Sequence, residues 1–80
     1  MNIESRIKTL LVDQLGVNIS DIKPHSNLIN ELGADSLDLA EIMISIEQEF
    51  KIEIPESRQW RMTTLKTIVN EIEKITGNHK

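Results

Sequence analysis

The side chain best placed for chemistry is the hydroxyl of Ser36, in the run Leu32-Gly33-Ala34-Asp35-Ser36-Leu37-Asp38. A serine there can attack a substrate, cap a helix or carry a covalent group. Attack needs an adjacent base, and both histidines, His25 and His79, lie far from Ser36 in sequence and from each other. Neither a G-x-S-x-G elbow nor a Gly-rich phosphate loop occurs. Cysteine is absent, which removes disulfides, thiolate metal sites and a cysteine nucleophile. Any thioester would need a thiol borrowed from a cofactor. The acids do not follow calcium-loop spacing either. No catalytic residue and no metal site are expected.

Two roles remain for Ser36. Serine ahead of a helix is ordinarily its N-cap. Asp35 can take that role instead, with Asp38 three residues on completing a capping box, and the Ser36 hydroxyl is then left over. A helix N-terminus carries partial positive charge and unpaired N–H groups, so it tolerates a phosphate well. The serine therefore suits a phosphodiester attachment. Gly33 and Ala34 are expected to leave room for a modifying enzyme.

The elements that position this serine are helical. Ile3, Ile7, Leu10, Leu11 and Leu15 recur at helical spacing and predict a helix over about Asn2–Leu15, ended by Gly16. Asn18 to Asn30 is a long connection with turn formers at Ser20 and Asp21 and a breaker at Pro24. Ile19, Ile22, Leu28 and Ile29 are expected to pin it to the core. A link of that length in a small domain is usually functional or locally structured. The second helix should run from about Ser36 to Phe50, followed by an extended link over Lys51–Pro55. Glu56–Met62 has room for one or two helical turns. Thr63 or Thr64 then caps a last helix through Leu65, Ile68, Val69, Ile72 and Ile75, closed by Gly77. The expected fold is all-α: a small bundle of three main helices and one short one, forming a single domain over residues 1–80.

The second helix carries more apolar surface than one core contact needs. Leu39, Ile42, Met43, Ile46 and Phe50 form one broad stripe at about 100° per residue. Leu37, Ala40 and Ile44 cluster on the opposite side, with Glu41 and Gln48 on that face and Asp38 and Glu47 at its flanks. Either the long loop covers this second face, or it is a docking strip fringed by carboxylates for a partner lined with Lys or Arg. Its start beside Ser36 favours docking.

Charge is segregated in the same sense. Net charge is -4, and between Pro24 and Phe50 there are six acids and no Lys or Arg, whereas Ser57 to Lys80 has five bases against two acids. An acidic middle favours a basic partner and disfavours nucleic acid and anionic membranes. The start, Met1–Leu15, is amphipathic and unlike a signal peptide, and no run approaches the roughly 18 apolar residues of a membrane span. A cytoplasmic location is expected.

Taken together, Glu31-Leu32-Gly33-Ala34-Asp35-Ser36-Leu37-Asp38, continued by Ala40-Glu41-Ile42 and Glu47-Gln48-Glu49-Phe50 to Ile54-Pro55, resembles an acyl carrier protein of the discrete fatty-acid-synthesis type. Leu15-Gly16-Val17 and the Thr63-Thr64 entry to the last helix match as well. The resemblance implies a four-helix bundle whose serine, here Ser36, carries 4′-phosphopantetheine. A phosphopantetheinyl transferase adds the arm from coenzyme A with magnesium, and the arm's thiol holds an acyl group as a thioester. It further implies a monomer with a recognition face at Asp35, Leu37, Asp38, Ala40, Glu41, Ile44, Glu47 and Gln48, read by acyl-loading and acyl-processing enzymes with basic docking patches. Leu39, Ile42, Met43, Ile46, Ile54 and Met62 are candidate lining of an acyl pocket, and equally candidate plain core.

Some residues depart from that family. The short third helix is typically acidic there, yet reads Glu56-Ser57-Arg58-Gln59-Trp60-Arg61-Met62 here, and the net charge is milder. Trp60 is expected to pack; if exposed, it would form a contact patch with Arg58 and Arg61. These departures leave room for a specialised carrier in a secondary pathway, loaded by a dedicated ligase or synthase. The alternatives are an aminoacyl, peptidyl or D-alanyl carrier of the same fold, and an unmodified acidic interaction module.

Overall fold

The computed structural model describes residues 2–77, so His79 lies outside the described residues. Four helices follow in order: α1 Ile3–Leu15, α2 Ser36–Phe50, α3 Glu56–Gln59 and α4 Leu65–Thr76, with a 3-10 turn at Ile19–Asp21. The expected bundle of three main helices and a short third one is what forms. α1 starts at Ile3 rather than Asn2 because the Asn2 side chain accepts the Ser5 N–H at 2.8 Å as its cap. α3 stops at Gln59, short of Met62. There the chain tightens, with Arg61 N–H donating to Arg58 C=O and Met62 N–H to Gln59 C=O.

Each long helix is delimited by chemistry on both sides. Asp35 and Asp38 form a reciprocal capping box on α2, and Thr64 and Thr67 do the same on α4. Gly16 and Gly77 close α1 and α4 in the left-handed region, where a side chain is strained. Lys51 closes α2 in that same region at φ 56°, the one non-glycine among the described residues with positive φ.

α1 packs against both α2 and α4. Ile7 and Leu11 from α1, Ile42 and Ile46 from α2, and Leu65, Ile68 and Ile72 from α4 are fully buried between them. Burying one such side chain is worth about 1.5–3 kcal/mol, so this shared core is what holds the bundle. Arg6 fastens one edge. It donates to the Glu49 carboxylate from Nε at 3.0 Å and Nη2 at 2.8 Å, and its guanidinium lies 4.2 Å from the Phe50 ring centre.

The long connection is locally structured, but two of its four expected anchors fail. Ile22 and Leu28 are buried, whereas Ile19 and Ile29 are exposed. Backbone pairing sets this division. Leu28 N–H donates to Thr63 C=O at 2.9 Å, Lys66 N–H to Pro24 C=O at 2.9 Å, and the Asn27 carboxamide oxygen accepts from Ile29 and Asn30. Fixing Leu28 inward at that bridge turns its neighbour Ile29 outward. Leu32 and Ala34 then enter the core. Ala34 is thus a core residue held by Leu28 C=O, and the open space beside the serine comes from Gly33, whose missing side chain would meet nothing within 4 Å.

Candidate functional site

Gly33 stands at φ 78°, a conformation that lets the chain turn sharply after the buried Leu32. Two residues later Asp35 caps α2, its Oδ1 accepting the Asp38 N–H at 2.9 Å while Asp38 Oδ2 accepts the Asp35 N–H at 3.2 Å. Capping is therefore done by Asp35. Ser36, the first residue of α2, is exposed, and its hydroxyl has no hydrogen-bond partner among the described residues. No base among the described residues is bonded to it.

Exposed Ser36 is part of the lining of a cleft of about 300 Å³ between α2 and the α3 turn. Leu39, Ala40 and Met43 line it from α2. Glu56, Gln59, Trp60, Met62 and Thr63 line it from the far side, with Ile29 coming from the long connection. Of the candidates for an acyl pocket, Leu39, Met43 and Met62 are placed along this cleft. Ile42, Ile46 and Ile54 are buried in the helix core and are absent from this lining. Ile29 and Thr63 join the lining through the bridge between residues 27–28 and 63–64, and Gln59 joins it from α3, where its carboxamide is held by Ile54 C=O. No local spacing in the sequence relates the three.

Trp60 corrects an expectation. It is 80% exposed rather than packed. Its neighbours at helical spacing, Glu56, Ser57, Thr63 and Thr64, are all polar, so no apolar partner is within reach along the chain. The expected patch with Arg58 and Arg61 is only partial, because Arg58 turns away: its Nη1 donates to Glu71 at 2.7 Å.

That pair holds α3 in place. α3 itself buries no residue and has no side-chain cap. Besides the Arg58 contact, the Gln59 carboxamide donates to Ile54 C=O at 3.1 Å. Glu71 is buried, and the Arg58 hydrogen bond holds its carboxyl below the usual range despite the opposing push of burial, aided by the charges of Arg58, Lys74 and Arg61.

On α2's outer face, Leu37 and Ile44 are 65% and 52% exposed, and Ala40, Glu41 and Gln48 are exposed with them. The long connection does not cover this strip. Its carboxylates differ in commitment. Glu47 is half-buried and accepts the Ile54 N–H at 2.9 Å, Asp38 serves the capping box, and Glu41 accepts from the Gln14 carboxamide while remaining exposed.

Among the described residues no helix is long and apolar enough to cross a membrane, and no group of three or more His, Asp or Glu converges on a metal position. Capped helix, spare hydroxyl and adjoining cleft are compatible with a scaffold that holds a covalently attached group. The family model described as "Phosphopantetheine attachment site" matches residues 5–72, and the chain belongs to that family. It is a non-catalytic carrier of covalently attached 4′-phosphopantetheine, and its partners include a phosphopantetheinyl transferase and acyl-processing enzymes. The α2 N-terminus fits such a group: the Ser36 hydroxyl is exposed, and the N–H groups of Ser36 and Leu37 are unpaired among the described residues, so both can face a phosphate.

Proposed function

We propose that the chain carries acyl groups as thioesters on a phosphopantetheine arm fastened to Ser36, and passes them between enzymes of fatty-acid or related secondary acyl metabolism. The observation that carries this reading is the exposed Ser36 hydroxyl, without a hydrogen-bond partner among the described residues, in the lining of a largely apolar cleft. Ser36 Oγ attacks the phosphopantetheine-side phosphorus of coenzyme A and forms the phosphodiester as the pyrophosphate P–O bond breaks. Adenosine 3′,5′-bisphosphate leaves, and the hydroxyl proton passes to a base of the transferase. The two unpaired N–H groups favour the negative charge of the product. The arm supplies the thiol that this cysteine-free chain lacks. Leu39, Met43 and Met62 offer an apolar floor that keeps water from a tethered chain.

The cargo is read directly by intact-mass analysis of the protein isolated from its own cell. An apolar acyl increment beyond the arm is expected. One observation favours the aminoacyl alternative: Glu56 lines the cleft and offers a carboxylate to an ammonium group. An aminoacyl mass would select that alternative and remove the fatty-acyl reading.

The α2 strip serves as the docking face in this account, with Glu41 as its most available carboxylate. Glu41→Lys is expected to slow phosphopantetheine transfer by about tenfold at low salt, with the gap narrowing as salt is raised. Circular dichroism should be unchanged. Loss of helix in that variant would show Glu41 to be structural, through its Gln14 contact, and would remove it from the docking face.

A further inference from the structure

The largest apolar side chain of the protein is left in water at the edge of its cleft. Scattered exposed apolar residues need no explanation, but Trp60 has company. Ile29, 47% exposed, stands on the same cleft, while Met43 and Met62 beneath them are nearly fully buried. The cleft thus has a covered apolar floor and two uncovered apolar lips. Ser36 lies in the same lining, so a group tethered to its hydroxyl is confined next to those lips at high effective concentration.

Trp60 also has the right chemistry to meet such a group. Its indole has a broad apolar face and one N–H donor, which has no partner among the described residues. The backbone that carries it is held by the Arg58–Glu71 and Gln59–Ile54 contacts, whereas among the described residues no polar contact holds the ring. An apolar chain lying in the cleft would shed water together with the indole face and Ile29. A short or polar cargo offers no comparable area, and the ring then gains nothing by covering it.

We infer that Trp60 is a specificity-determining residue of the carrier: its indole closes over an apolar acyl chain tethered at Ser36, with Ile29 as the opposite lip, and leaves short or polar cargo uncovered. The inference rests on attachment at Ser36, and the experiment separates the two.

Trp60 is the single tryptophan and there is no tyrosine, so selectively excited emission reports this ring alone. The full chain is loaded by a broad-specificity transferase from coenzyme A, acetyl-coenzyme A or octanoyl-coenzyme A, and each product is checked by intact mass. Acrylamide quenching should fall about threefold, with a blue-shifted emission, in the octanoyl form alone. The empty-arm and acetyl forms should match the unmodified chain. In Trp60→Ala, hydroxylamine should release the octanoyl group about fivefold faster than from the parent, with acetyl release unchanged. Full loading with unchanged quenching, or equal protection of both acyl groups, overturns the role of Trp60 alone. No mass gain from any donor overturns the attachment at Ser36 and the Trp60 role with it.

Discussion

Ser36→Ala is expected to abolish phosphopantetheine loading completely while leaving stability within about 0.5 kcal/mol of the parent. The two halves follow from different facts. Attachment needs one oxygen, and alanine has none. Stability does not need it, because the Ser36 side chain is exposed, makes no hydrogen bond among the described residues and is not the cap of α2. Asp35→Ala gives the converse. Losing the acceptor for the Asp38 N–H should cost about 1 kcal/mol, seen as a melting temperature lower by roughly 4–8 °C. Ser36 in that variant should still be modified. Thermal denaturation and intact mass on the same two samples check all four outcomes. A Ser36→Ala chain that melts as early as Asp35→Ala would return the capping role to the serine.

The second large effect lies at Glu71. Arg58→Ala removes the hydrogen bond at 2.7 Å and leaves a buried carboxylate whose remaining ion pair among the described residues is with Lys74 Nζ at 3.7 Å. Breaking a buried pair from one side costs several kcal/mol, but Arg58 is 42% exposed and its share is screened. A loss of about 2 kcal/mol is expected, or roughly 10 °C in melting temperature. Replacing both partners by methionine should recover most of it, since no charge is then left buried. The acid limb carries a signature of its own. Glu71 has a carboxyl pKa lowered in the folded state, so its contribution is fully present above the ordinary glutamate value. It fades as pH falls from that value through the lowered one. Glu71→Gln should therefore be less stable than the parent at neutral pH and converge on it in acid. Parallel stability curves across that window would show that the pair does not fasten α3.

Much of this was legible in the residues because it is local. Asp35 and Asp38 are three apart, Gly16 and Gly77 follow apolar periodic runs, and the α2 stripes repeat at helical spacing. Local spacing also placed Ser36 ahead of an exposed apolar face. What escaped depends on contacts between distant segments. Ile22 and Ile29 look equivalent in the sequence, and only the backbone pairing of Leu28 with Thr63 decides that one is buried and the other faces solvent. The cleft draws on the connection, α2 and the α3 turn at once, so no single run of residues announces it. Arg58 and Glu71 meet across 13 positions, at a spacing no helical period relates. Trp60 is a different case: aromatic residues are buried on average, but the four polar residues at helical spacing around it give the ring no apolar neighbour along the chain.

Attachment at Ser36 is the claim from which the docking face, the cleft and the role of Trp60 all take their meaning. Its most direct test incubates the unmodified chain with coenzyme A, magnesium and a broad-specificity transferase, then maps the product by tandem mass spectrometry of its peptides. One phosphopantetheine per chain, on Ser36, is the expected result. An unchanged mass, or the same increment on Ser45 or Ser57, would contradict it.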